Sequence, residues 1–245
     1  MDWIEILNAL EKGEVRAAVP GKDGSWTVNL AVKEAILMAF KEGKIVDFNE
    51  FVDKDTLLPQ KFNTKRGVRI VPYGSTVRRG AYVAEGVVIM PPSYINVGSY
   101  VDSGCMVDSH VLVGSCAQIG KRVHLSAGVQ IGGVLEPKGS IPVIIEDDVF
   151  VGAGTIVVEG LLVKKSAVLA PGLILSRGIP VYDAVNEELL QRGGPIPENA
   201  VVIPGSRPLK SKWCKDHGIC GACAVIIKYR DEGCNASLLL EEILR

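Results

Sequence analysis

One spacing constrains this chain more than any other feature. From Val71 an aliphatic residue recurs every six positions: Val71, Val77, Val83, Ile89, Ile95, Val101, Val107, Val113, Ile119, Leu125 and Ile131. After a slip of two across residues 132–144 the period resumes at Ile145, Val151, Val157, Val163, Leu169 and Leu175. Two places before these positions the residue is usually small or β-branched, as at Ser75, Ala81, Ser93, Ser99, Cys105, Ala117, Thr155 and Ala167. One place after, glycine or a short polar residue is common, as at Asn96, Asp102, Asp108, Gly114, Gly120 and Gly152. Six residues hold one short strand and one turn. Three such units close a triangular coil, and each aliphatic stacks on that of the next coil. The repeat predicts a parallel β-helix of about six coils, stabilised by stacking alone.

Composition agrees and excludes several classes. The chain is 47% hydrophobic but only 6% aromatic, so its core must be aliphatic. That apolar content argues against a disordered chain. A net charge of −1 argues against nucleic acid as the main partner. No run approaches the ~18 apolar residues of a membrane span, and MDWIEILNALEKGEV lacks the pattern of a signal peptide. The expected location is the cytoplasm, with all six cysteines reduced.

The flanks differ from the repeat. Residues 1–66 read as an N-terminal helical domain, with apolar helical spacing at Trp3–Leu10 and Leu30–Phe40 and a linker at Lys65-Arg66-Gly67. Residues 67–180 hold the repeat. Residues 181–245 read as an extension with strands at Val201–Pro204 and Ala222–Tyr229 and a helix at Ala236–Leu244, after an irregular stretch.

Hexapeptide β-helices of the left-handed type resemble two enzyme groups, the acyl-CoA-dependent acyltransferases and the γ-class carbonic anhydrases. The second group needs three converging histidines for zinc. The three here are His110, His124 and His217, and the last lies outside the repeat. The local sequence is more specific. GVRIVPYGSTVRRGAYV, YINVGSYVDSGCMVD, VGSCAQIGKRVHLSAGVQIGGVLEP and IIEDDVFVGAG, with DGSWTVNLAVKEAILMAF before them and CAVIIKYRDEG after, are similar to the tetrahydrodipicolinate N-succinyltransferase family. The resemblance runs from about residue 15 to the end, although the N-terminal domain is shorter than the family usually has.

The resemblance implies a mainly β, left-handed parallel β-helix and a homotrimer with sites between subunits. It implies no metal, nucleic acid or membrane partner. The co-substrate would be a coenzyme A thioester, succinyl-CoA first and acetyl-CoA as an alternative. The acceptor would be the small amino dicarboxylate of lysine and diaminopimelate biosynthesis. Such chemistry needs a neutral amine, donors for the thioester oxygen, cations for two carboxylates, and a groove for the pantetheine arm.

Asp108 matches the family's functional aspartate, which binds the acceptor amine, although spacing alone makes it an ordinary turn residue. Arg69 matches a substrate-binding arginine, suited to a carboxylate by its fork of donors. Arg79, with Arg78, is a possible helper or merely a solvated corner residue. Glu136 lies at the interruption of the repeat, where loops often carry function, and would orient the acceptor, contact a neighbouring subunit or brace its loop. Gly133, Gly152, Ala153, Lys164 and Ala170 are the expected coenzyme A contacts.

Two departures from the family stand out. Its Gly-Ala-Arg-Ser-Glu segment is here Gly152-Ala153-Gly154-Thr155-Ile156, so a catalytic glutamate has become Ile156 and an arginine Gly154. Its tryptophan after Val-Asp-Thr has become His110. If the strand is extended, an imidazole two residues from Asp108 shares its face, which makes His110 a candidate general base. The losses leave open a relative with another donor or amino-acid acceptor, or one without turnover. Cys214, His217, Cys220 and Cys223 have zinc-ligand chemistry, but their uniform spacing fits no usual finger pattern, and unligated thiols are expected. Cys116 reads as core.

Overall fold

The computed structural model describes residues 2–231, and the expected helix at Ala236–Leu244 lies outside them. From Arg69–Ile70 to Ile174–Leu175 the chain is a succession of two-residue strands. They form three parallel faces. The first face carries Arg69–Ile70, Val88–Ile89, Met106–Val107, His124–Leu125, Phe150–Val151 and Val168–Leu169. The second carries Thr76–Val77, Tyr94–Ile95, Leu112–Val113, Gln130–Ile131, Ile156–Val157 and Ile174–Leu175. The third carries Tyr82–Val83, Tyr100–Val101, Gln118–Ile119, Ile144–Ile145 and Leu162–Val163. Alternation along a strand sends the second residue of each pair inward and leaves the first outside. Ile95, Val101, Val107, Val113, Ile119, Leu125 and Ile131 are accordingly sealed from solvent in one continuous core.

Three details correct the expected register. Ile70, not Val71, is the first stacked aliphatic, because its partner is Ile89. The extra residue before Val77 is absorbed in a turn where Tyr73 and Gly74 have φ of 73° and 91°. The interruption is also not a slip of two within the repeat. Gln130–Ile131 on the second face is followed directly by Ile144–Ile145 on the third, so residues 132–143 are one corner enlarged into a loop. Finally, the stack does not end at Leu175. After an excursion containing Val181–Asp183 and Glu188–Leu189, Ile196 bridges to Val163, and Val201 and Val202 pair with Val168 and Leu169. Ile196 and Val202 are again six apart, a return of the period that sequence inspection passed over. The strands Ala200–Pro208 and Cys220–Tyr229 then pair antiparallel.

The N-terminal helices form where expected. α1 (Trp3–Glu11) starts in a capping box of Asp2 and Glu5, and α2 (Leu30–Glu42) is capped by Asn29. Their buried faces, including Leu7, Leu10, Ile36 and Ala39, share a second core with Val97 and Cys116 of the β-helix. Arg16 fixes the hairpin of Ala18–Pro20 and Trp26–Val28 to the third face. Its guanidinium lies 3.7 Å from the Tyr100 ring centroid and 5.4 Å from that of Trp26, and its Nε donates to Gln118 Oε1 at 2.9 Å.

Each stacked aliphatic touches the coils on both sides, so one truncation opens a void that neither neighbour can fill. Ile119 lies between Val101 and Ile145 and is fully buried. Ile119→Ala is expected to cost about 2–5 kcal/mol, read as a lower midpoint in urea with an unchanged slope.

Candidate active site

The three corners of the triangle differ in chemistry. The third corner, between the third and first faces, is charged: Gly120-Lys121-Arg122, Glu146-Asp147-Asp148 and Lys164-Lys165-Ser166 follow one another up the stack. The first corner, between the first and second faces, is bare. Above Asp108-Ser109-His110 come Ser126-Ala127-Gly128, Gly152-Ala153-Gly154 and Ala170-Pro171-Gly172. Coils lie about 4.8 Å apart, so three of them present a strip roughly 14 Å long with no side chain larger than proline.

Hydrogen bonding makes this strip rigid. The third residue of each turn donates to the second of the turn below: Gly128 N to Ser109 O at 2.8 Å, Gly154 N to Ala127 O at 2.9 Å and Gly172 N to Ala153 O at 2.9 Å. The first residues, Asp108, Ser126, Gly152 and Ala170, donate to Leu125, Val151, Leu169 and Val202. The middle N–H groups of Ala127 and Ala153 take no part in these bonds, and both residues are exposed. Gly152 is sealed beneath the strip, where a Cβ would lie 2.5 Å from Pro171 N and 2.8 Å from Ala170 C.

Asp108 sits half-buried at the lower end. One carboxylate oxygen accepts the Ser109 N–H at 2.7 Å, and its carbonyl accepts the Ser93 hydroxyl at 2.8 Å. The segment after it is a turn, not the extended strand on which the case for His110 depended. His110 has φ of 63°, lies exposed at the vertex, and donates its N–H to Pro92 O. Alternation therefore does not set its side chain on the face of Asp108.

A different imidazole faces that carboxylate. His124 points outward from the first face, opposite Met106 one coil below. Val107 pairs with Leu125, so Asp108 and His124 are diagonal neighbours on adjacent coils. The ring of His124 packs against Phe150 in a tilted arrangement, with centroids 5.0 Å apart. Burial lowers its pKa below the ordinary imidazole value, and the Asp108 charge partly offsets that. The clue was available in the repeat: an 18-residue coil puts His124 directly above Met106, two residues before Asp108.

The other expected residues are spread over the molecule. Glu136 and Gly133 belong to the 132–143 loop at the second corner, beside a groove of about 600 Å3 that Ile141, Val158, Glu159 and Arg177 also line. That loop is pinned at its base and tip. A Cβ on Gly114 would lie 2.2 Å from Gly133 N, the buried Lys33 of α2 donates to Ser140 O at 2.6 Å, and Lys138 pairs with Glu34 at 2.7 Å. Arg79 is spent on Thr56 O and Asn8, and Arg78 on Asp53 and Leu57 O, so both fasten the N-terminal region. Arg69 is exposed at the start of the first face, and Lys164 stands on the third corner. Within one chain Asp108, His110, Gly152, Ala153 and Ala170 share the first corner, and Gly133 and Glu136 share the second.

Residues 4–41 match the family model described as Tetrahydrodipicolinate N-succinyltransferase N-terminal. A 2,3,4,5-tetrahydropyridine-2,6-dicarboxylate N-succinyltransferase of Nitrobacter hamburgensis is 44% identical over 98% of this chain and 87% of its own length. The chain belongs to the tetrahydrodipicolinate N-succinyltransferase family. A relative of the same name from Legionella pneumophila is also 44% identical, again over 98% and 87% of the two chains. A provisional 2,3,4,5-tetrahydropyridine-2-carboxylate N-succinyltransferase structure from Campylobacter jejuni covers 91% of this chain and 62% of its own, with TM-score 0.46 and 16% identity. As a member of this family the chain is an acyltransferase.

The two altered residues of the Gly152–Ile156 segment have distinct places. Ile156 points outward on the second face between Gln130 and Ile174. Gly154 leaves open space where a Cβ would stand. In the extension, the His217 ring stacks on Trp213 with Nδ1 2.8 Å from Trp213 O, while Cys220 and Cys223 lie on the strand Cys220–Tyr229. Among the described residues no group of three or more His, Cys, Asp or Glu side chains could hold a metal ion. No described helix is long and apolar enough to cross a membrane. Burial pushes the Cys105 and Cys116 thiols up to about 12, so neither supplies a thiolate nucleophile near neutral pH.

Proposed function

We propose that this protein transfers a succinyl group from succinyl-CoA to the amine of ring-opened tetrahydrodipicolinate, within lysine and diaminopimelate biosynthesis. The observation that carries the reading is the bare first corner rising from Asp108. A pantetheine arm is a narrow chain with two amides, and it needs a smooth wall with free backbone groups rather than a deep pocket. Ala127 and Ala153 offer exposed N–H groups on such a wall, with Gly152 and Ala170 beneath. The thioester would then arrive at Asp108, whose carboxylate holds the acceptor amine.

The remaining roles fit a site between subunits of a cytoplasmic homotrimer. Asp108 and Glu136 stand at different corners, and a neighbouring copy supplies the missing wall and the loop. Glu136 would orient the acceptor there. Arg69 would take a substrate carboxylate, and Lys164 a phosphate of coenzyme A. Arg79, held by the N-terminal region, is a weaker candidate than its sequence position implied.

Gly154 favours a second reading, in which a smaller acyl-CoA such as acetyl-CoA is the donor. The arginine that the family places there is absent, and with it one cation for a donor carboxylate. Thiol release from succinyl-CoA and acetyl-CoA, with tetrahydrodipicolinate as acceptor, separates the two. The first reading expects succinyl-CoA to give the larger kcat/KM by about tenfold or more, equivalent to ~1.4 kcal/mol of transition-state preference. Release confined to acetyl-CoA would establish the second. Sedimentation of the purified protein tests the trimer.

A further inference from the structure

The reaction needs a group to take the amine proton, and the family's glutamate is here Ile156. Three features single out one side chain. His124 is a diagonal neighbour of Asp108 on the outer surface of adjacent coils, fixed by the pairings Met106–His124 and Val107–Leu125. Its ring is held against Phe150 at 5.0 Å, which limits its rotation. Its column runs alongside the bare corner, since Ser126, two residues on, is the first residue of that strip.

We infer that His124 is the proton acceptor of the acyl transfer, with Asp108 holding the amine between itself and the imidazole. This rests on the proposed function above. The amine nitrogen attacks the thioester carbonyl carbon, forming the C–N bond while the C–S bond breaks. The proton lost from nitrogen passes to the neutral imidazole of His124 and from there to the departing sulfur, which leaves as the free thiol. No oxidant, metal or covalent enzyme intermediate is required.

The surroundings of His124 suit this role. Met106 below and Phe150 above are uncharged, as are Ile203 and Ile227, which pack in the same cluster as Phe150. Asp108 is the acid that acts on the ring. Arg69 lies on the same face, beyond Val88 and Met106. Burial favours the neutral imidazole, the form that accepts a proton, while the nearby carboxylate stabilises the imidazolium as it forms.

Two variants and one titration test the inference in the full-length protein. His124→Asn removes the base. His124→Phe also removes it but keeps an aromatic ring against Phe150, so a loss shared by both is not a loss of packing. Each should lower kcat by about 100-fold or more with succinyl-CoA and tetrahydrodipicolinate, with little change in donor KM. The acidic limb of the kcat/KM profile should vanish in both. Separately, the NMR titration of the His124 ring should move to lower pH in Asp108→Asn, because the carboxylate that raises it is gone. Wild-type kcat in either variant, or an acidic limb that survives in them, would overturn the inference. So would a His124 titration unaffected by Asp108→Asn. If the wild-type protein turns over neither donor, the functional reading fails on its own, and the titration still decides whether the two groups form a pair.

Discussion

Asp108→Asn is expected to lower kcat for coenzyme A release by about 10²–10⁴-fold, the range associated with losing one positioned acid–base group. Asparagine is the informative substitution. Its carbonyl oxygen can still accept the Ser109 N–H, so the local turn and the stack above it survive. The Ser93 hydroxyl bonds the main-chain carbonyl of Asp108, which the substitution leaves in place. What disappears is the negative charge beside His124 and, on the proposed reading, beside the acceptor amine. KM for the acceptor should therefore rise along with the fall in kcat, while donor binding and the thermal midpoint stay close to wild type. Activity within a few fold of wild type would place the reacting amine elsewhere, and with it the whole assignment of the first corner.

The fold was legible because its signal is redundant. A six-residue period repeated along most of the central chain cannot be mistaken, and the faces it predicts are the faces observed. The errors all arose where an insertion altered the count. Val71 and Ile70 are both aliphatic, so only the pairing with Ile89 shows which one stacks. The 132–143 loop could be placed but not counted, because spacing alone does not separate an enlarged corner from a shifted register. Ile196 and Val202 kept the period but lay beyond an excursion, with too few repeats to stand out. The site was less legible for a related reason. Asp108 came from resemblance to a family, whereas its neighbour His124 follows only from coil-to-coil register. The appeal of His110 came from treating residues 108–110 as a strand, although the repeat itself puts a turn there. Arg78 and Arg79 looked like free cations until their partners on the N-terminal region were visible.

The glycines of the first corner allow stability and donor binding to be separated. At Gly172 a Cβ would meet nothing within 4 Å, and the obstacle to a side chain is a φ of +72°. Gly172→Ala should thus cost only about 1–2 kcal/mol, the usual penalty for an L-residue in the left-handed region. At Gly152 the obstacle is the next coil. A Cβ there would lie 2.5 Å from Pro171 N and 2.8 Å from both Ala170 C and Leu169 O, all main-chain atoms that no rotamer change can move aside. Gly152→Ala must push two coils apart, against the Gly152 N to Leu169 O bond of 2.8 Å. We expect a loss near the upper end of the ~1–3 kcal/mol typical of overpacking, or a melting temperature lower by roughly 6–12 °C for a chain of this size. The same displacement would tilt the wall that carries the Ala153 N–H, so coenzyme A should bind at least about tenfold more weakly, a change of ~1.4 kcal/mol. Titration calorimetry with coenzyme A, run well below the melting transition, reads that second effect separately. If Gly152→Ala destabilises the protein yet binds coenzyme A as the wild type does, the donor lies on another corner. If Gly172→Ala matches Gly152→Ala in stability, backbone handedness rather than coil-to-coil contact governs this edge.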